Sequence, residues 1–344
     1  MASPAETAAV YQAGQSRLAT AAAVASMREW VKIDGKNLDL SWPGVLGRLL
    51  MVLGAGQRRA AAAGPGYLAR ALAAQRVTPR PGHRLAPDAF SGVASDGRQL
   101  ASLLYTPVAE SKHLMSQGAR LGDAVTQAGT HLAVIARTQV QDAGRMAVQT
   151  AMADDEAVRG YVRHVNLPSC ARCIILAGRF YRYSSGFLRH PNCDCQMIPA
   201  AGEEFVEGQD PEELIAQMRE QHPERLRRSL TEGDLKALDH GADLNQVVNA
   251  HRGMATAAGP GRKLSVTLEG TTRRGLAGSR LIREHGARQG HAFQRVTAHG
   301  VTTARYSRAR APRLTPAQIF DEAGRYGWDR AEIVRQLTRF GYLI

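Results

Sequence analysis

Every cysteine of the chain, with one histidine, falls in the window CARCIILAGRFYRYSSGFLRHPNCDCQMIP, residues 170–199. The spacing is Cys170-x2-Cys173, sixteen residues, then His190-x2-Cys193-x-Cys195. Thiolate sulfur and imidazole nitrogen are the donors that zinc takes, and a structural zinc site fills all four tetrahedral positions with them. A Cys-x-x-Cys pair turns the chain so that two sulfurs converge. Cys193 and Cys195, two apart, point to one side of an extended segment. Five candidate ligands compete for four places, and the spacing leaves open which one loses; the four thiolates are preferred, with His190, held extended before Pro191, as substitute ligand or outer donor. Metal binding of this kind stabilises by on the order of 10 kcal/mol, enough to order a small module with little core of its own.

Two disulfides fit the spacing less well, because a Cys-x-Cys bridge is strained and the chain reads as a product of a reducing cytoplasm. Clustered core thiols without metal are the plainer alternative. A catalytic zinc would need an open position and a nearby carboxylate. The window's one acid is Asp194, between two ligands, with its side chain expected to point away from the metal. The expected site is closed, and no residue is assigned a catalytic role.

The elements that position this window are mainly helical. Residues 4–30 are Ala-rich at helical spacing, and 44–75 continue so, with a break expected at Gly64-Pro65-Gly66. VTPRPGHRLAPDAFSG, 77–92, reads as a loop, followed by helical segments over 93–119 and 121–153. In the last, Leu132, Ile135, Val140, Ala143, Ala147 and Thr150 share one face. Such a region is either a plain bundle or a surface that an assembly partner grips. Within the window, Phe180, Tyr181 and Tyr183 before Ser184-Ser185-Gly186 predict a short hairpin that returns one cysteine pair to the other.

Beyond the window, Asp210-Pro211-Glu212-Glu213 opens a helix, with shorter helices expected at 231–240 and 241–253. Residues 271–313 then carry ten arginines against a single acid, Glu284, and read as loop or extended chain. Thr315-Pro316 and Trp328-Asp329 open two terminal helices. The expected fold class is α+β, mainly α: a helical N-terminal region, a small zinc-bound hairpin module and an arginine-rich C-terminal region with terminal helices. The expected division is 1–155, 156–202, 203–255, 256–313 and 314–344.

Composition bounds the function classes. The chain of 344 residues is 44% hydrophobic and has a net charge of +13, which suits a polyanionic partner. Arginine outnumbers lysine 39 to 5, a bias that GC-rich coding also produces, so the charge excess counts for more than the choice of arginine. The start, MASPAETAAV, lacks the pattern of a secretory signal, and the run VLGRLLMVLGAG is too short for a membrane span; no membrane partner is expected. Arg273, Arg274, Arg305, Arg308 and Arg310 are the candidate contacts to double-stranded DNA, made through counterion release without reading sequence. No phosphate-binding loop pattern occurs.

The window resembles that of the Mu F-like minor head proteins of tailed bacteriophages. Cys-x-x-Cys at 170–173, LAGR at 176–179 and above all HPNCDCQMIP at 190–199 carry the likeness. ARTQV at 136–140 is similar to that family's Ala-Arg-Thr-Glu helix, with Gln139 in place of the acid. GADLNQVVNAHRGM, LEGTTRRGLAG and RLTPAQIF look like the longer version found in phages of actinobacteria. The resemblance implies a virion protein at the portal vertex inside the head, partnered by portal or capsid proteins and found in the host cytoplasm during assembly. It also brings in two competitors: a capsid maturation protease, for which His285, His291 and His299 lack an identifiable nucleophile elbow, and a cellular zinc-ribbon nucleic-acid binder.

Overall fold

A computed structural model describes residues 2–259, 261–271, 276–285, 292–297, 300–305 and 312–343. The chain is mainly α and forms two compact units: residues 1–166 with 177–210, and 167–176 with 211–344.

The first unit is a bundle of α1 (Pro4–Trp30), α2 (Leu38–Ala74), α3 (Leu100–Leu104), α4 (Thr106–Ser116) and α5 (Leu121–Asp154). Ser3 caps α1 reciprocally with Glu6: its Oγ accepts from the Glu6 amide at 3.1 Å, and its own amide donates to Glu6 at 2.7 Å. The core runs along α1, α2 and α5 through Trp30, Leu49, Leu53, Leu132 and Val140. Small residues let these helices approach closely. A Cβ on Gly144 of α5 would stand 2.4 Å from Gln15 Oε1 of α1. Of the face read along α5, Leu132, Ile135, Val140, Ala143 and Ala147 are buried and Thr150 is exposed.

The break expected at residues 64–66 does not occur: α2 is continuous through both Pro43 and Pro65. Proline removes one helical hydrogen bond and crowds the preceding turn, and packing offsets the cost here. Gly64 lies so near α5 that a Cβ would sit 3.2 Å from the Val148 amide nitrogen, and Tyr67 is fully buried with its hydroxyl donating to Met197 O at 2.7 Å. By length and composition α2 is apolar enough to cross a membrane. Its residues Trp42, Val45, Leu49 and Leu53 form part of the bundle's core.

Three antiparallel strands complete this unit: β1 (Gly160–His164), β2 (Phe180–Arg182) and β3 (Gln196–Ala200), in the order β2-β1-β3. The expected hairpin is therefore corrected. Residues 180–182 do not pair with the returning chain; both flank β1, with Tyr161 opposite Tyr181 on one side and Pro199 on the other. The strand β1 was not foreseen. Five residues directly after a long helix give too short a pattern to read.

The second unit holds α6 (Ala171–Ile174), α7 (Pro211–Gln221), α8 (Pro223–Arg227), α9 (Glu232–Asp239), α10 (Leu244–Ala250), β4 (Met254–Gly259), β5 (Arg262–Thr267), α11 (Leu276–His285), β6 (Ala292–Thr297), β7 (Gly300–Arg305), β8 (Arg313–Leu314), α12 (Pro316–Tyr326) and α13 (Arg330–Arg339). The caps read at Thr315 and Asp329 are present, accepting from the amides of Gln318 and Glu332. The sequence of residues 271–313 reads as loop or extended chain; their described part holds the helix α11, which was not foreseen, and the strands β6 and β7, which with β4, β5 and β8 form a five-stranded antiparallel sheet in the order β7-β6-β4-β5-β8. Its strand residues alternate too weakly for periodicity to show them.

Among the described residues, two of the arginines there are held inside the fold. Arg313 is fully buried. Its guanidinium donates to Gln246 Oε1 and to Phe340 O, both at 3.1 Å, and lies over the Tyr342 ring. Arg280 donates to the carbonyls of Thr338 and Leu343 near the C-terminal end of α13. Of the candidate DNA contacts, Arg305 ends β7 opposite Ala292, while Arg273, Arg274, Arg308 and Arg310 lie outside the described residues, as do His291 and His299.

Candidate metal centre

Cys170 stands at the N-cap of α6, and its carbonyl accepts from the amides of Cys173 at 3.0 Å and Ile174 at 3.1 Å, closing the turn expected of a Cys-x-x-Cys pair. The other pair lies on the irregular stretch between β2 and β3. Asn192 adopts a left-handed conformation, φ 59°, and the Cys193 amide donates to His190 O at 3.2 Å, which folds His190-Pro191-Asn192-Cys193 into a tight turn.

The structure brings the predicted thiol ligands together in two pairs: the sulfurs of Cys170 and Cys173 lie within 4.8 Å of each other in the second unit, and those of Cys193 and Cys195 do so in the first. Cys173, Cys193 and Cys195 are buried, Cys170 is partly exposed and His190 is exposed. All four cysteines are thiols. A tetrahedron with sulfur about 2.3 Å from zinc has edges of about 3.8 Å, and the sulfur–sulfur separation within each pair, at most 4.8 Å, is near that edge. Soft sulfur donors with an imidazole fit zinc and exclude the oxygen-loving calcium and magnesium.

Residues that the sequence did not single out brace the Cys193–Cys195 loop, and they come from α5. Arg145 is 4% exposed and Asp142 2%. Arg145 Nε donates to Cys195 O at 3.2 Å, one terminal nitrogen donates to Cys193 O, and the other to Asp142 Oδ1 at 3.0 Å. Asp142 also accepts from Arg189, three residues past Gly186. The carbonyls of both ligand cysteines are thus tied to one guanidinium, whose charge is matched by a buried carboxylate. Such placement fixes the sulfurs without touching them.

Asp194 faces the bundle: its Oδ1 accepts from Gln12 Nε2 at 3.0 Å and Gln141 Nε2 at 3.1 Å. Gln12 in turn accepts from Gln196. The one acid of the window is therefore occupied in holding α1 and α5. Farther back, Arg163 stacks on Phe187, 4.4 Å from the ring centre, and donates to Leu188 O at 2.8 Å. Gln149 reaches Ser185 O at 3.1 Å. Gln139, at the position noted in ARTQV, is buried and pairs with Ser95, accepting from its amide at 2.8 Å and donating to its hydroxyl at 3.2 Å. The sequence signal for this support was the run Gln139-Val-Gln141-Asp142-Ala-Gly-Arg145, polar residues on a helix whose same face is otherwise apolar.

His164 closes β1 opposite Gln196. Burial holds its imidazole below the ordinary value of 6.5, because the charged form loses hydration. The folded state therefore keeps His164 neutral where the unfolded chain begins to take up a proton. Stability is fully present above 6.5 and falls as pH drops from there toward the folded value. Urea titrations at pH 7.5 and 5.5 should show that His164→Gln removes part of this acid loss.

A family model described as VG15 protein matches residues 4–221, from the start of α1 to the end of α7. No curated protein and no solved structure matches the chain.

Proposed function

Because the chain belongs to the VG15 family, a family of phage proteins whose model spans residues 4–221, we propose that it is a structural minor head protein of a tailed phage. The helical bundle docks on portal or capsid proteins at the portal vertex, inside the head. The cysteine window holds one structural zinc that stiffens the segment after α5, and the arginine-rich C-terminal segment, through Arg273, Arg274, Arg305, Arg308 and Arg310, meets packaged double-stranded DNA.

The observation that carries this reading is the extent of the family match, which takes in both the bundle and every candidate ligand. The chemistry of the site supports a scaffold rather than a reaction centre. Its donors are mostly buried thiols, and Asp194 is hydrogen-bonded to two glutamines. A hydrolytic zinc needs an open position with a carboxylate poised to activate water. When bound, zinc would supply cross-linking and no acid–base chemistry, while Arg145 and Asp142 hold the loop that presents Cys193 and Cys195.

Purified particles of the phage that encodes this chain decide the matter. The reading expects a few copies per virion, and failed or DNA-poor heads when the gene is deleted. Absence from purified particles, or normal heads without the gene, contradicts it.

A further inference from the structure

Residues 40–87 contain seven arginines and no aspartate or glutamate. Two of the seven are paired within the fold, Arg48 with Glu29 and Arg58 with Asp88. The other five, Arg59, Arg70, Arg76, Arg80 and Arg84, are exposed, and among the described residues none has a carboxylate partner. Of the acids beside this stretch, Asp154 accepts from the His83 ring at 2.6 Å and Asp155 is buried with both oxygens on the Arg80 amide. Glu156, whose amide donates to Arg80 O at 3.3 Å, is exposed, so the positive charge there is five arginines against one nearby acid.

Arg59 and Arg70 are eleven residues apart on α2, which at 3.6 residues per turn sets them on one face about 16 Å apart along the axis. Ala62 and Gly66, both exposed, lie between them, and Ala73 follows on the same side. The face is thus low, with positive charge rising from it at intervals. It also lacks what a protein partner grips. Between Met51 and Val93 no large hydrophobic residue is exposed, whereas protein interfaces centre on apolar or aromatic anchors.

We propose that this face of α2, continued past the helix end by Arg76, Arg80 and Arg84, binds the phosphate backbone of double-stranded DNA without reading its sequence. Arginines on a rigid helix, spaced by small side chains, neutralise phosphates and release counterions; between Arg59 and Arg70 the face offers only alanine and glycine, with no Asn or Gln amide to match a base edge, so the contact is to the backbone. The site is separate from the C-terminal contact named above and rests on the proposed function only for the supply of DNA.

The test uses the full-length protein and a labelled duplex of arbitrary sequence, with binding followed by fluorescence anisotropy over a range of salt. Arg59→Gln/Arg70→Gln should lower the slope of log affinity against log salt by about 2, at roughly 0.9 per phosphate contact, with unchanged circular dichroism. If that variant folds poorly, Arg76→Gln/Arg84→Gln in the following loop gives the same reading. Replacing Arg273, Arg274, Arg305, Arg308 and Arg310 together probes the C-terminal contact independently: a null result there leaves the α2 effect standing. An α2 variant with wild-type affinity and salt slope overturns the inference. So does equal binding of polyglutamate and DNA by the wild-type protein, which would assign the face to an acidic protein.

Discussion

At the proposed zinc site, exchanging Cys173 for serine is expected to cost more metal affinity than the same change at Cys170. Cys173 is buried, whereas Cys170 is partly exposed, so water can take the place of the Cys170 sulfur more readily. Serine keeps the size but offers a hydroxyl that does not ionise near neutral pH, so a soft, charged donor is lost. Structural zinc contributes on the order of 10 kcal/mol of apparent folding energy in small modules, and losing a buried ligand forfeits most of it. Metal content after desalting, together with competition against a chromogenic chelator, reads the difference. Equal retention by both variants would contradict the unequal roles of the two thiols.

The second large effect is expected at Arg145. Removing one partner of a buried, hydrogen-bonded charge pair costs about 3–5 kcal/mol when the other charge is left uncompensated; because Arg189 still pairs with Asp142, the loss expected here lies at the lower end of that range. Arg145→Met leaves Asp142 with Arg189 alone, and it orphans the carbonyls of Cys193 and Cys195. Chemical denaturation should register that loss. Metal affinity should fall in parallel by roughly 10–100-fold, the usual cost of removing a group that orients a ligand. Arg145→Met/Asp142→Leu separates the two effects: relief of the buried charge should restore part of the stability, while affinity stays low because the carbonyls are still untied. Full recovery of affinity in the double variant would show that Arg145 serves the bundle and not the ligand loop.

Much of the chemistry was legible from residue type and spacing, because metal ligands are few and their separation along the chain is short. The turn at Cys170–Cys173, the closeness of Cys193 to Cys195 and the engagement of Asp194 by glutamines of the bundle follow from such local rules. The long helices at 4–30 and 121–154 were legible for a related reason, their apolar faces repeating over many turns. The support of the site was not. Asp142 and Arg145 look in sequence like an ordinary surface pair three apart on a helix, and only tertiary burial turns them into a brace. The run through Pro65 failed similarly: a proline that ends an isolated helix is tolerated where Gly64 lets α2 rest directly on α5. The strands β1, β6 and β7 have five or six residues each, too few for an alternating pattern to outweigh the glycines and arginines around them.

Charge was misleading in an instructive way. The arginine-rich segment 271–313 drew attention by composition, yet Arg280 and Arg313 are consumed inside the fold. The acid-free stretch 40–87 is less conspicuous because its arginines are diluted by alanine and glycine. Its helix nevertheless sets Arg59 and Arg70 on one exposed face. Net charge reports the partner class, and only placement reports the surface.

The central claim is that the cysteine window closes on a single structural ion. Elemental analysis of the purified full-length protein, paired with titration of its thiols before and after chelation, tests it most directly. One zinc per chain, with thiols that react slowly until the chelator is added and all four thereafter, is the expected result. A metal-free protein whose four thiols react at once, and whose unfolding midpoint does not change with chelator, would contradict the claim.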